Sequence, residues 1–132
     1  MRHLRITLVV ATAVALASSP AALGAPPATP EAERPPIPPV IWTLSAMQLG
    51  EKLFTPSNPS DYTVQFLPDR TMRIRADCNQ GTGSYAADPP RLRLTDLVTT
   101  KVACGPESLS DSLIEALAAV SAYQFQGDTL EL

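Results

Sequence analysis

The chain holds one histidine, two cysteines and one tryptophan in 132 residues, and aromatic residues amount to only 5%. The histidine is His3, within the first five residues. If that N-terminal stretch is removed, as its composition suggests, the remainder has no imidazole. It then has no His-based catalytic triad, no imidazole general base and no His-ligated metal. Two cysteines with no CxxC spacing, no histidine and no third thiolate also make a poor redox motif and a poor soft-metal site. No metal and no cofactor is expected. Beyond the N-terminal stretch no run is apolar enough to span a bilayer, which takes about 20 residues, so no transmembrane anchor is expected. There is no internal repeat, and a length of 132 residues admits one small domain and little else.

What is present is unevenly distributed. Met1–Arg5 is basic, Ile6–Ala17 is apolar, Ser18-Ser19-Pro20 breaks the run, and Ala21–Ala25 supplies small residues. Basic, apolar and then small is the order of a secretory signal peptide. The apolar run of about twelve residues is too short for a membrane span. Residues 1–24 are read as the signal, cut after Gly24 with Ala22 and Gly24 as the small residues. Cutting after Ala25 is the alternative and would place Pro26 beside the scissile bond. No cysteine lies near the cut, which argues against a lipid-anchored product. The expected mature protein is soluble and exported, periplasmic or secreted. It keeps eight basic residues against 13 acidic ones, a poor footprint for nucleic acid or anionic lipid.

Residues 25–39 follow as a proline-rich linker, with seven of the 14 prolines between Pro26 and Pro39. Locked φ angles and missing donors favour an extended, semi-rigid spacer. The domain proper is read as 40–132. Tyr62–Phe66 alternates with Tyr62, Val64 and Phe66 on one face, and Thr71–Ala76 with Met72, Ile74 and Ala76. With Pro68-Asp69-Arg70 between them, the two runs predict a hairpin. Arg91–Leu94 alternates on a shorter scale, and Val98–Cys104 reads as a strand with Val98, Val102 and Cys104 on one face. From Leu109, apolar residues recur at Leu113, Ala116, Leu117 and Val120, one face of a helix. Ser108-x-x-Asp111 fits the spacing of a capping box. Ala122–Phe125 and Thr129–Leu132 flank Gly127-Asp128 as a terminal hairpin. The expected class is α+β, a small antiparallel, barrel-like sheet with one amphipathic helix packed on it.

Cys78 and Cys104, an even pair in an exported chain, are read as a structural disulfide. Closing a loop of this length is worth about 3–4 kcal/mol in the chain-entropy model. Ala76–Tyr85 is the densest run of turn-forming and polar residues. It has neither the Lys-Ser/Thr ending of a P-loop nor the order of a dinucleotide loop. Its Asn79, Gly81 and Gly83 suit positive φ or a bulge. Arg73 and Arg75, like Arg91 and Arg93, each share a strand face. Were the two strands neighbours, the four would form a patch able to contact an anion. Asp61, Asp69, Asp77, Asp88 and Asp96 all sit in or beside turns, so no catalytic role is assigned to them. Trp42 is read as a core residue or a plug at the end of a barrel.

Together Trp42-x-Leu44, Tyr62–Phe66, Asp77-Cys78-Asn79 with Gly83-x-Tyr85, Thr100-x-x-x-Cys104 and the final Gly127-Asp128 hairpin resemble the META domain, an HslJ-like family. The resemblance covers about residues 40–132. It implies a small barrel-like antiparallel sheet with a helix, on exported or lipid-anchored proteins, and no established enzymatic activity. Members are connected with heat shock and stress response, novobiocin resistance and virulence-related secretion. Two departures stand out. Asp69-Arg70 replaces the usual Asp-Gly turn, which implies a different turn type or some strain. The sequence also stops at Leu132 where similar domains add a short strand, so either the last hairpin has an open edge or the product is shortened. The function expected is a non-enzymatic envelope role, by binding or by supporting stress tolerance, with a protein or small ligand of the envelope as partner. A small secreted ligand-binding or inhibitor module, with a mouth around Trp42 and Asn79–Tyr85, is the alternative.

Overall fold

The computed structural model describes residues 2–8 and 37–132. The cleavage site at Gly24 or Ala25 and linker residues 25–36 lie outside the described residues. Among the described residues there are nine strands: β1 (Arg2–Leu8), β2 (Ile41–Leu49), β3 (Lys52–Phe54), β4 (Tyr62–Phe66), β5 (Thr71–Ala76), β6 (Asn79–Asp88), β7 (Arg91–Thr99), β8 (Gln124–Gln126) and β9 (Thr129–Glu131). One α-helix, α1 (Ser110–Ala118), and a short 3-10 turn at Pro59–Asp61 complete them. The strands form one sheet in the order β7-β6-β5-β4-β2-β1-β9-β8, with β3 paired to β2. The sheet curls until Arg91, at the start of β7, bridges Ala122 just before β8. Leu92 N–H donates to Ser121 O and Tyr123 N–H to Pro90 O at the same seam.

The β4–β5 hairpin has the expected register, Val64 opposite Ile74 and Phe66 opposite Met72, and the alternating apolar residues are buried. The turn between them holds Arg70 at φ +66°, the left-handed region that glycine enters at least cost. That is the conformation for which the usual Asp-Gly pair is suited. The helix buries Leu113, Ala116 and Leu117 against β1, β2, β5 and β7. Its start differs from the capping-box expectation. The cap position is Leu109, whose N–H donates to Tyr62 Oη, and Ser108 Oγ accepts from the Ser110 N–H at 3.2 Å.

Two expectations are corrected, that for Val98 by a β-bulge and that for Val102 by an early end of the strand. Val98 was expected to face the core, yet it is 67% exposed. Between Thr82 and Ser84 of β6, β7 runs from Val98 to Thr95, so β7 carries one residue more than its partner. Asp96 takes φ +54° there. One extra residue inverts the alternation, so Leu92 and Leu94 face inward before it and Leu97 after it, while Val98 turns out. The strand also ends at Thr99, and 100–109 is irregular, which leaves Val102 58% exposed. Ser45 plays the same part in β2. It is skipped between the pairs Leu4–Leu44 and Arg5–Ala46, its Oγ donates to Leu4 O, and the inward set passes from Trp42 and Leu44 to Met47.

The largest difference concerns β1. The start of the predicted signal is a strand of the sheet, parallel to β2 on one side and to β9 on the other. The sheet is therefore mixed, not purely antiparallel. Leu4 and Ile6 are buried completely or nearly so, while Arg2, His3, Arg5 and Thr7 are exposed. Read as a basic and then apolar segment, these residues hide a strict alternation of Leu4, Ile6 and Leu8 that suits a half-buried strand. β1 covers one side of the last hairpin, since β9 pairs with both β1 and β8, while β8 stands last in the strand order.

Replacing Leu113, fully buried, by alanine should cost about 2–5 kcal/mol. Val98→Ala, on the outward side of the bulge, should stay within about 0.5 kcal/mol. Urea unfolding followed by Trp42 fluorescence measures both, and equal losses would contradict the inverted register.

Candidate functional site

The motif residues converge on one side chain. Asn79 opens β6 and is 4% exposed. Its Nδ2 donates to Val102 O at 3.1 Å and Ser110 Oγ at 3.0 Å, and lies 3.2 Å from Cys104 Sγ. Its Oδ1 accepts from Val102 N at 2.8 Å and from Thr100 Oγ1 at 3.0 Å. The amide is thus used on both ends, as burial demands. It ties the irregular 100–104 segment and the first residue of α1 to the sheet. Cys78 and Cys104 form a disulfide beside it, with Cα atoms 5.7 Å apart and the two residues 26 positions apart in sequence. Together they clamp the connection between β7 and α1.

Asp77 and Cys78 are the two turn residues between Ala76 and Asn79, which pair directly. Asp77 takes φ +59°, a position that a short polar residue tolerates, and its N–H donates to Asp61 O at 2.8 Å. From Asn79 onward the run that was read as a turn-rich loop is the ten-residue strand β6. Gly81 and Gly83 were expected to serve positive φ or a bulge. Neither has a positive φ, Gly83 does lie where the register shifts between Thr82 and Ser84, and both allow close approach. A Cβ on Gly83 would lie 2.7 Å from Leu97 Cδ2, and one on Gly81 2.5 Å from Thr99 Cγ2. Tyr85 seals the other end of β6. Its hydroxyl donates to Leu67 O at 2.7 Å, and its ring meets Phe66 edge-on at 5.0 Å. Burial pushes its phenol pKa up.

Trp42 is 1% exposed and lies between two neighbours in the sheet, opposite Val64 of β4 and Arg2 of β1. Its ring packs against Phe125 at 6.0 Å, and the Arg2 guanidinium sits 5.6 Å from its centroid. The indole Nε1 is buried and has no hydrogen-bond partner among the described residues. Trp42 and Asn79 are both packed inside, so they do not form the exposed mouth of the alternative reading.

The four arginines are not brought together. β6 lies between β5 and β7, with Arg73 beside Thr82 and Arg75 beside Gln80. Arg91 and Arg93 sit at the far end of β7 beside Asp88 and Ala86. Arg75 is also engaged by Asp61 at 3.0 Å. A depression of about 670 Å³ lies between Ile37, Pro68, Arg70, Tyr85, Pro89 and Tyr123, where the chain enters the domain. Pro89 and Pro90 in its vicinity are joined by a cis peptide bond. Among the described residues no three His, Cys, Asp or Glu side chains are placed to hold a metal ion, and no helix is long and apolar enough to cross a membrane.

These features define a small, disulfide-clamped, barrel-like β-domain with one packed helix. A family model described as META domain matches residues 37–132, and the chain belongs to that family. No curated protein and no solved structure matches it. The matched segment begins at Ile37, which is 2% exposed, three residues before the expected domain start. Sequence reasoning missed Ser110 and β1 as parts of the assembly. Ser110 carried no signal beyond a helix start, whereas β1 was marked by its period of two.

Asn79→Ala would strand Thr100, Val102 and Ser110 without their partner. A loss of about 2–4 kcal/mol is expected, since each abandoned buried group costs about 1–3 kcal/mol. The Val102 amide should exchange with solvent much faster, and unchanged protection there would refute the clamp. A second expectation concerns pH. The Thr71 hydroxyl and N–H, both bonded to Asp69 Oδ1, hold the Asp69 carboxyl below its ordinary value of 3.8. A lowered folded pKa means that its contribution is present above 3.8 and is lost as pH falls through the lowered value. The Thr71 amide resonance should therefore titrate with a midpoint below 3.8, and a midpoint at or above that value would contradict the hydrogen bonds.

Proposed function

We propose that this META-domain chain is exported, that residues 1–24 are removed as a signal peptide, and that the mature domain acts without catalysis by binding a partner in the envelope. The observation that carries the reading is the Cys78–Cys104 disulfide. Disulfides persist in oxidising compartments outside the cytosol, and this one closes a loop worth about 3–4 kcal/mol. The basic, apolar and small order of residues 1–25 supports the same destination. The acidic mature composition speaks for a protein or neutral ligand over nucleic acid. A binding role agrees with a motif whose polar side chains are spent on holding the fold, Asn79 above all. Support of envelope stress tolerance is the physiological role that the family resemblance suggests.

The test is expression of the full chain in a bacterial host, followed by fractionation and intact-mass measurement after alkylation without reductant. The expected product lies outside the cytoplasm, begins at Ala25 and carries no alkyl group. Two alkylated thiols, or a product that still begins at Met1, would refute the reading.

A further inference from the structure

The strand β1 stands between two edges that have no other way to be satisfied. Thr7 N–H donates to Leu132 O at 2.9 Å, Leu132 N–H to Arg5 O at 2.8 Å, and His3 N–H to Asp128 O, while seven residues of β1 pair with β2. Neighbouring strands lie about 4.7–4.9 Å apart, so β2 and β9 face each other across the width of one strand. Below that slot, Leu4 and Ile6 reach the same interior as Trp42, Leu44, Met47 and Leu130. The segment that fills the slot is the one whose removal the preceding section proposes. Once it is cut away, β2 and β9 present two facing rows of unpaired backbone groups over an apolar groove. Such edges are templates for another strand.

A second observation separates Arg2–Leu8 from an ideal occupant. The buried Trp42 Nε1 has no acceptor among the described residues. The residue beside Trp42 on the filling strand is Arg2, whose side chain can only donate. A buried donor without a partner carries a free-energy cost that an acceptor would remove.

We propose that the slot between β2 and β9 is a strand-acceptor site for an extended segment of another protein, and that Arg2–Leu8 is its temporary intramolecular plug. The proposal rests on removal of the leader. The segment that fits runs parallel to β2 and β9. It alternates, carries aliphatic residues at the positions of Leu4 and Ile6 and polar ones between them, and places a hydrogen-bond acceptor at the position of Arg2. The strand supplies main-chain hydrogen bonds on both sides, and the two aliphatic side chains complete the core. Its binding is thereby folding of the sheet's last gap.

The experiment uses the full chain with a protease site inserted in the proline-rich linker and cut after folding. A fluorescent peptide of the sequence Arg2–Leu8 should bind the cut chain saturably and leave the uncut chain alone. The peptide carrying Arg2→Gln, whose amide oxygen can accept, should bind a few-fold tighter, since relief of the buried donor outweighs the loss of the guanidinium over the Trp42 ring. The peptide carrying Leu4→Lys and Ile6→Lys should not bind. If the cut chain loses structure on dilution, the peptide should restore the near-ultraviolet circular dichroism of Trp42, and failure to restore it would overturn the proposal. Absence of saturable binding would overturn it as well, with the export reading left standing. Dimers of the cut chain that exclude the peptide would show a second copy as the occupant and would also overturn it. An exported product that keeps Met1 would remove its premise, and intact mass reports that outcome separately from peptide binding.

Discussion

In the strand order the C-terminal hairpin is joined to the rest of the sheet through β1, a strand from the opposite end of the sequence, and otherwise meets it at the seam where Arg91 bridges Ala122. β9 pairs only with β1 and β8, and β1 in turn pairs with β2. Leu4 and Ile6, set between Leu44 and Leu130, therefore do two things at once. They close an apolar interior that no other segment at that place closes, and they satisfy the backbone of two strands that do not touch each other. Burying one aliphatic side chain of this size is worth about 1.5–3 kcal/mol, so the pair supplies a sizeable share of what holds a domain of this size together. Parallel pairing with a partner distant in sequence earns nothing until the rest of the sheet exists. The strand on which the end of the sheet depends is thus also the one assembled from the most distant parts of the sequence.

The other end of the sheet is held differently. There the fastening is local and chemical: the Cys78–Cys104 bond, the fully used amide of Asn79, and the Tyr85 hydroxyl on Leu67 O. Each fixes an irregular connection to a regular strand. Asn79 anchors 100–104 and the first residue of α1, and Tyr85 closes the β4–β5 turn from behind. The family motif is in this sense a set of rivets for loops.

Much of this was legible before any coordinates. The β4–β5 hairpin, the helix from Leu109 and the last hairpin follow from periods of two and 3.6 read over neighbouring residues. The disulfide follows from an even pair of cysteines with neither metal-site nor redox spacing. Other elements were misread for physical reasons that can be named. Val98 points outward because a bulge at Asp96 shifts the alternation by one, and a bulge is a property of two strands, invisible in either one. Gly81 and Gly83 are glycines because β7 passes too close for a Cβ, a constraint imposed from 13 residues or more away in sequence. The four arginines divide because β6 lies between their strands.

By itself the sequence determined the local periods, the covalent clamp and the family. All of these depend on residues close together or on a bond between two named atoms. Only the tertiary structure decided which strands are neighbours, which side of a bulged strand faces in, and what stands between β2 and β9. Those choices are made by non-local backbone pairing and by the volume of a shared interior. Leu4 and Ile6 carry the same alternation as many other segments, and it is the unfilled width of one strand between two distant edges that gives it meaning.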